Sequence, residues 1–179
     1  MIMEKLDTGE LDRRQRKLLY TSMFLGKLLL AGAIFQLVLF LYPSTYGIQA
    51  WFAGIVSQVL GLLGIQATHT GYFIFLDSGT YQITQDCLGW KSMAAFTGLM
   101  YASGPVRKHW RYLFAGIGVL AAANLVRVVS TVYLSHQGII SFDIIHGTLW
   151  KWGLTAVVFV LWLYWLRAQE QETLLMQRQ

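Results

Sequence analysis

Three apolar runs constrain this chain more than anything else in it. Residues 21–42 (TSMFLGKLLLAGAIFQLVLFLY), 112–134 (YLFAGIGVLAAANLVRVVSTVYL) and 146–166 (HGTLWKWGLTAVVFVLWLYWL) are each long enough to cross a bilayer, which takes about 20 residues. Inside hydrocarbon every backbone polar group must be paired within the protein, so runs of this kind are helices. The chain is 55% hydrophobic and 13% charged, where soluble domains average about 45–50% and about 25%. Its net charge of +5 does not point to nucleic acid, because the basic residues gather at the ends of the apolar runs. Membrane topology is set by charge at those places.

Residues 87–103 (CLGWKSMAAFTGLMYAS) read as a further apolar helix. Residues 46–65 are apolar but interrupted by Gln49, Ser57 and Gln58. In the segment 71–84 (GYFIFLDSGTYQIT), aromatic and β-branched residues flank Asp77-Ser78-Gly79, the pattern of a β-hairpin with its turn there. Its open edges place it outside the hydrocarbon. Residues 1–20 are too polar, and the run after them too long, for a cleavable signal peptide; the run reads as a retained anchor.

Charge decides the expected topology. Arg13, Arg14, Arg16 and Lys17 precede the first run and place the N-terminus in the cytoplasm. If residues 46–65 spanned, the turn with Arg107, Lys108 and Arg111 would fall outside, against the same rule. An interfacial or re-entrant helix at 46–65 returns that turn to the cytoplasm, and its polar interruptions suit an interface. The expected fold class is therefore an all-α polytopic membrane protein with about four transmembrane helices. A short extracytoplasmic β-hairpin completes it. Residues 1–20 form a cytoplasmic segment, 21–167 one membrane-embedded catalytic domain and 168–179 a cytoplasmic tail. Trp90, Trp150 and Trp152 are expected in the outer aromatic belt, and Trp110, Trp162 and Trp165 in the inner one.

In this arrangement three chemically capable side chains fall in the outer leaflet. Cys87 opens one helix, His146 opens the last span, and Arg127 lies about 10 Å below the surface at 1.5 Å per residue. A charge well inside a span costs at least about 2.5–3.5 kcal/mol, and arginine cannot shed its proton. Arg127 must face the bundle interior or a wet cavity and find a partner. Asn124, three residues earlier, shares its face. At a helix N-terminus the dipole favours a Cys87 thiolate. Asp86 opposes this unless it caps the helix, and Lys91 either adds positive charge or anchors the chain at the interface. Asp143, three residues before His146, either orients the imidazole or caps its helix. A single cysteine excludes an internal disulfide and a CxxC pair. The sequence holds no HxxxH, HExxH or phosphate-binding glycine loop, so neither a metal nor a cofactor is expected.

A thiolate, an imidazole and a guanidinium suit acyl transfer: attack on a peptide carbonyl, protonation of the leaving amine, and stabilisation of the oxyanion or orientation of the substrate. The competing reading is a non-catalytic membrane subunit of a transport or secretion complex. Arg127 would then bind a lipid headgroup or a partner carboxylate, and Cys87 would be packing. A small transporter is disfavoured, because few polar residues line any one path.

DCLGW near a helix start, NLVR inside a later helix and a helix opening with HG resemble the exosortase/archaeosortase superfamily over roughly residues 46–166. The hairpin running straight into the cysteine is similar too, and the GWKSM continuation is similar to archaeal-type members. The resemblance implies a multi-pass membrane cysteine protease/transpeptidase whose cysteine, arginine and histidine map onto Cys87, Arg127 and His146. Asn124 matches the asparagine that commonly precedes the arginine. It implies substrates that are exported proteins with a C-terminal sorting signal: a motif, an apolar span and a basic end. The new C-terminus would pass to an acceptor, often a membrane lipid. Leu88-Gly89 stands where many members have serine-glycine, and the chain is shorter than many members, as in a minor subfamily.

Overall fold

The computed structural model describes residues 12–42, 44–106, 108–139 and 150–176. Five long helices carry the fold: α1 (Arg13–Leu41), α2 (Tyr46–Leu62), α3 (Trp90–Ser103), α4 (Trp110–His136) and α5 (Trp150–Met176). Between α2 and α3 lie strands β1 (Thr68–Thr70), β2 (Phe73–Leu76) and β3 (Gly79–Gln82), followed by a single 3-10 turn at Gln85–Leu88.

Helix α1 begins inside the charged N-terminal segment. Asp12 accepts from its first turn, and the Gln15 side chain reaches back to the Asp12 backbone, a reciprocal cap. None of its residues is buried. It lies against α3, where Gly98 brings the backbone of α3 close to Ala31 and Leu28. Small residues of this kind let helices approach where apolar surface alone gives no preference for protein over lipid. Among the described residues, α1 and α4 are the two helices both long and apolar enough to cross a membrane. Helix α3 has 14 residues, about 21 Å at 1.5 Å per residue, against a hydrocarbon thickness of about 30 Å.

The expected hairpin is present, with Leu76 paired to Gly79 across the Asp77-Ser78 turn. It belongs to a three-stranded antiparallel sheet in the order β1-β2-β3. Strand β1 is the addition: three residues, all exposed, without an apolar alternation to betray them. Helix α5 continues to Met176, through most of the stretch expected to form a separate tail. Trp165, expected in an interfacial belt, is 1% exposed and packs inside the bundle.

The buried side chains form two cores. One joins α2 (Phe52, Ala53, Val56, Leu60), the sheet (Ile74, Leu76), Ile83, Cys87 and the second half of α4 (Val128, Val129, Val132). The other joins α3 (Phe96, Met100), the first half of α4 (Leu120) and α5 (Leu154, Val158, Trp165). Helix α4 is thus the shared wall, and Asn124, 1% exposed, lies between its two apolar stretches. Two of the polar interruptions in α2 have partners at opposite ends of the sheet segment. Ser57 donates to the carbonyl of Ala67 at 2.7 Å, and Gln49 to that of Ile83 at 3.0 Å. These two hydrogen bonds add to the apolar packing that joins α2 to the sheet.

The crossing of α3 and α4 depends on Gly116, where an added Cβ would drive into the Phe96 ring. Phe96 is 2% exposed. Gly116→Ala is expected to destabilise the purified protein by about 1–3 kcal/mol, the range for overpacking. Phe96→Leu should recover part of that loss in the double variant, read as a positive coupling in thermal unfolding.

Candidate active site

The segment from Ile83 to Gly89 is irregular backbone between a strand and a helix, so its carbonyls need donors from elsewhere. Five successive carbonyls find them. Gln49 Nε2 of α2 donates to Ile83 O at 3.0 Å. The Cys87 N–H donates to Thr84 O at 3.0 Å. Trp90 Nε1 of α3 donates to Gln85 O at 2.9 Å. Arg127 of α4 donates to Asp86 O at 3.0 Å, and Asn124 Nδ2 to Cys87 O at 2.7 Å. Three helices therefore converge on one short stretch around the only cysteine.

Gly89 completes the geometry. Its φ of +71° is left-handed, and an added Cβ would lie 2.6 Å from Asn124 Cγ. Only glycine meets both demands, since other residues pay in backbone strain at such angles. The close approach lets the Asn124 amide reach Cys87 O directly. Gly89 is also the N-cap of α3.

This corrects two expectations. Cys87 does not open α3; it sits in the 3-10 turn before it. Asp86 does not cap α3 either. Its carboxylate pairs with Lys91 Nζ at 2.6 Å, with both side chains more than 60% exposed. An exposed pair of this kind contributes about 0–1 kcal/mol. It also keeps the carboxylate occupied outside the core that holds Cys87.

Cys87 is 7% exposed and packs in the first core, with its sulfur 3.4 Å from Thr84 Oγ1. Arg127 is half-buried. Its backbone carbonyl accepts from Ser130 Oγ and Thr131 Oγ1 at 3.1 and 2.7 Å. Within the site, Arg127 Nε and Asn124 Oδ1 are buried without a hydrogen-bond partner.

Of the seven residues singled out from the sequence, five come together: Asp86, Cys87, Lys91, Asn124 and Arg127. His146 and Asp143 lie outside the described residues. Among the described residues no group of three or more His, Cys, Asp or Glu is placed to hold a metal ion. The sequence reading missed Gln49, Thr84 and Trp90 as parts of the site. Gln49 was visible as a polar break in an apolar helix, and Trp90 as part of DCLGW; Thr84 carried no signal.

The family model described as "Transmembrane exosortase" matches residues 14–166. Neither the curated proteins nor the solved structures yield a significant match.

Gly64, with φ +84° and open space where a Cβ would stand, separates the two demands made at Gly89. Gly64→Ala should cost about 1–2 kcal/mol from backbone strain alone. Gly89→Ala should cost distinctly more, and Asn124→Ala should relieve part of that excess. Thermal unfolding of Gly64→Ala, Gly89→Ala, Asn124→Ala and the Gly89→Ala/Asn124→Ala double variant checks this.

Proposed function

The chain belongs to the transmembrane exosortase family, and from that premise we propose that it is a membrane-embedded cysteine protease/transpeptidase acting on exported proteins with a C-terminal sorting signal. The observation that carries the reading is the meeting of Cys87 with Asn124 and Arg127. Two polar side chains one turn apart on an apolar helix reach residues 37 and 41 positions away in the chain. Placing an arginine in such a helix is costly, and here its contact is with the segment that carries the thiol.

The Cys87 thiolate attacks the carbonyl carbon of the scissile peptide, and a C–S bond forms. The tetrahedral intermediate collapses, the C–N bond breaks, and the amine leaves with a proton from the His146 imidazole. An acceptor nucleophile, an amine or hydroxyl of a lipid-linked group, gives its proton to the now neutral His146 and attacks the thioester; the C–S bond breaks and the Cys87 thiolate is restored. Arg127 holds the Asp86 carbonyl, and its charge stabilises the thiolate. Arg127 Nε and Asn124 Oδ1, on side chains one helical turn apart, are a buried donor and a buried acceptor without partners. Lys91 neutralises Asp86 away from the thiol.

The proposed topology has four spans with both termini cytoplasmic and the site on the extracytoplasmic face. The basic residues in the first turns of α1 and in the turn between α3 and α4 support that orientation.

One observation favours the non-catalytic alternative. Cys87 is 7% exposed among apolar neighbours, as a packing cysteine would be. The two readings part at Cys87→Ala, which removes the nucleophile and keeps a small apolar side chain. Expression of this variant with an exported protein bearing a motif, an apolar span and a basic end is expected to leave the sorting tail uncleaved. Normal cleavage would establish the scaffold reading. Arg127→Gln should lower processing by about 10²–10³-fold, the effect of removing a donor that supports a developing charge. In a Cys87→Ala background, a cysteine placed at the exposed Lys108 should resist an impermeant maleimide added to intact cells. Labelling from outside would overturn the topology.

A further inference from the structure

The polar side chains of α2 have no role in the reaction as proposed, yet one of them reaches the nucleophile segment. Gln49 lies at the start of α2, in its first turn, and holds Ile83 O at 3.0 Å. Ile83 is 2% exposed and shares the first core with Cys87. Its N–H is also fixed, donating to Tyr72 O at 2.9 Å beyond the end of the β2-β3 ladder. Ile83 is therefore pinned on both sides, and the chain leaves the sheet from a fixed point four residues before the thiol.

We propose that Gln49 is a positioning residue for Cys87, setting from α2 the height and direction at which the nucleophile segment leaves the sheet. The proposal rests on the reading of Cys87 as a nucleophile. The donors at the far end of the segment are Arg127 and Asn124, both on α4. Trp90 of α3 holds the middle of the segment at Gln85 O, and the sheet holds the Ile83 N–H. Gln49 supplies the opposite anchor from a different helix. Ser57, eight residues on along α2, holds Ala67 O at the entrance to the sheet. The sheet is thus bracketed at both ends by one helix, and the bracket ends where the reactive segment begins. Catalytic geometry tolerates little error: a displacement of about 1 Å by a distant change can cost about 10²-fold.

A peptide carbonyl asks for an N–H, so the chemistry of the side chain, more than its bulk, decides the test. Gln49→Met keeps length and removes the donor. Gln49→His returns an N–H at similar reach. The first readout is the alkylation rate of Cys87 by N-ethylmaleimide in the purified full chain; as the only cysteine, it gives an unambiguous signal and needs no substrate. The Met variant is expected to react about 3- to 10-fold faster, as when one neutral hydrogen bond is lost and the buried sulfur is released. Sorting-tail cleavage should fall about 10- to 100-fold in kcat, with KM changed less than about twofold, since Gln49 does not touch substrate. The His variant should recover both to within about threefold of the parent. Parental behaviour of the Met variant in either readout, or a His variant as impaired as Met, would overturn the proposal. If Gln49→Met does not fold, Gln49→Glu takes its place, isosteric and without an N–H. If Cys87→Ala remains active, the enzymatic reading fails, while the maleimide rates still decide whether Gln49 positions the thiol.

Discussion

Peptide carbonyls outside regular structure must be paired or wetted, and in an apolar protein water is scarce. From Ile83 to Cys87 this demand is met by a side chain from α2, one from α3, two from α4 and one local backbone N–H. The arrangement of the bundle around the cysteine follows from it. Moving α2, α3 or α4 away unpairs at least one of these carbonyls, and at the buried Cys87 O held by α4 the cost is about 1–3 kcal/mol. The usual view of polar residues in membrane helices as glue between helices needs a small change here. These side chains join helices to a loop, and through the loop to one another.

The two cores share α4, and the shared wall is polar where they meet. Asn124 stands between Leu120, which faces the α3/α5 side, and Val128, which faces the α2/sheet side. Its amide bonds the Cys87 carbonyl, and its Cβ and Cγ crowd Gly89. The site thus lies at the seam of two apolar clusters. Sites at such seams can be polar without opening a hole in either core.

What the sequence made legible was the chemistry and much of the layout. Arg127 and Asn124 stood out because polar groups in an apolar helix need a reason. Cys87 stood out as the lone thiol, and the Asp77-Ser78-Gly79 turn as a hairpin signal. What stayed hidden depended on partners far along the chain. Nothing local marks Gln49 as the donor to Ile83, because an interfacial helix and a helix bonded to a loop show the same polar break. Strand β1 is three residues of Thr-His-Thr, too short for alternation to register. The start of α3 was placed three residues early because apolar composition continues through Cys87-Leu88, while the break is a backbone event at Gly89. Trp165 was read from its type as interfacial, whereas its contacts with the second core bury it.

Helix α1 carries a different kind of information. It is 29 residues long with no buried residue, about 43 Å at 1.5 Å per residue. Its protein contact runs along α3, at a spot where Gly98 admits Ala31 and Leu28. Most of its surface answers to lipid alone, so its letters are nearly interchangeable within the apolar alphabet, and only its length and its basic first turns are specified. Relatives of this chain could therefore differ most in the helix that anchors them and least in the few residues around Gly89, and an aligner weighting every position alike would rank them by the part that says least about their chemistry.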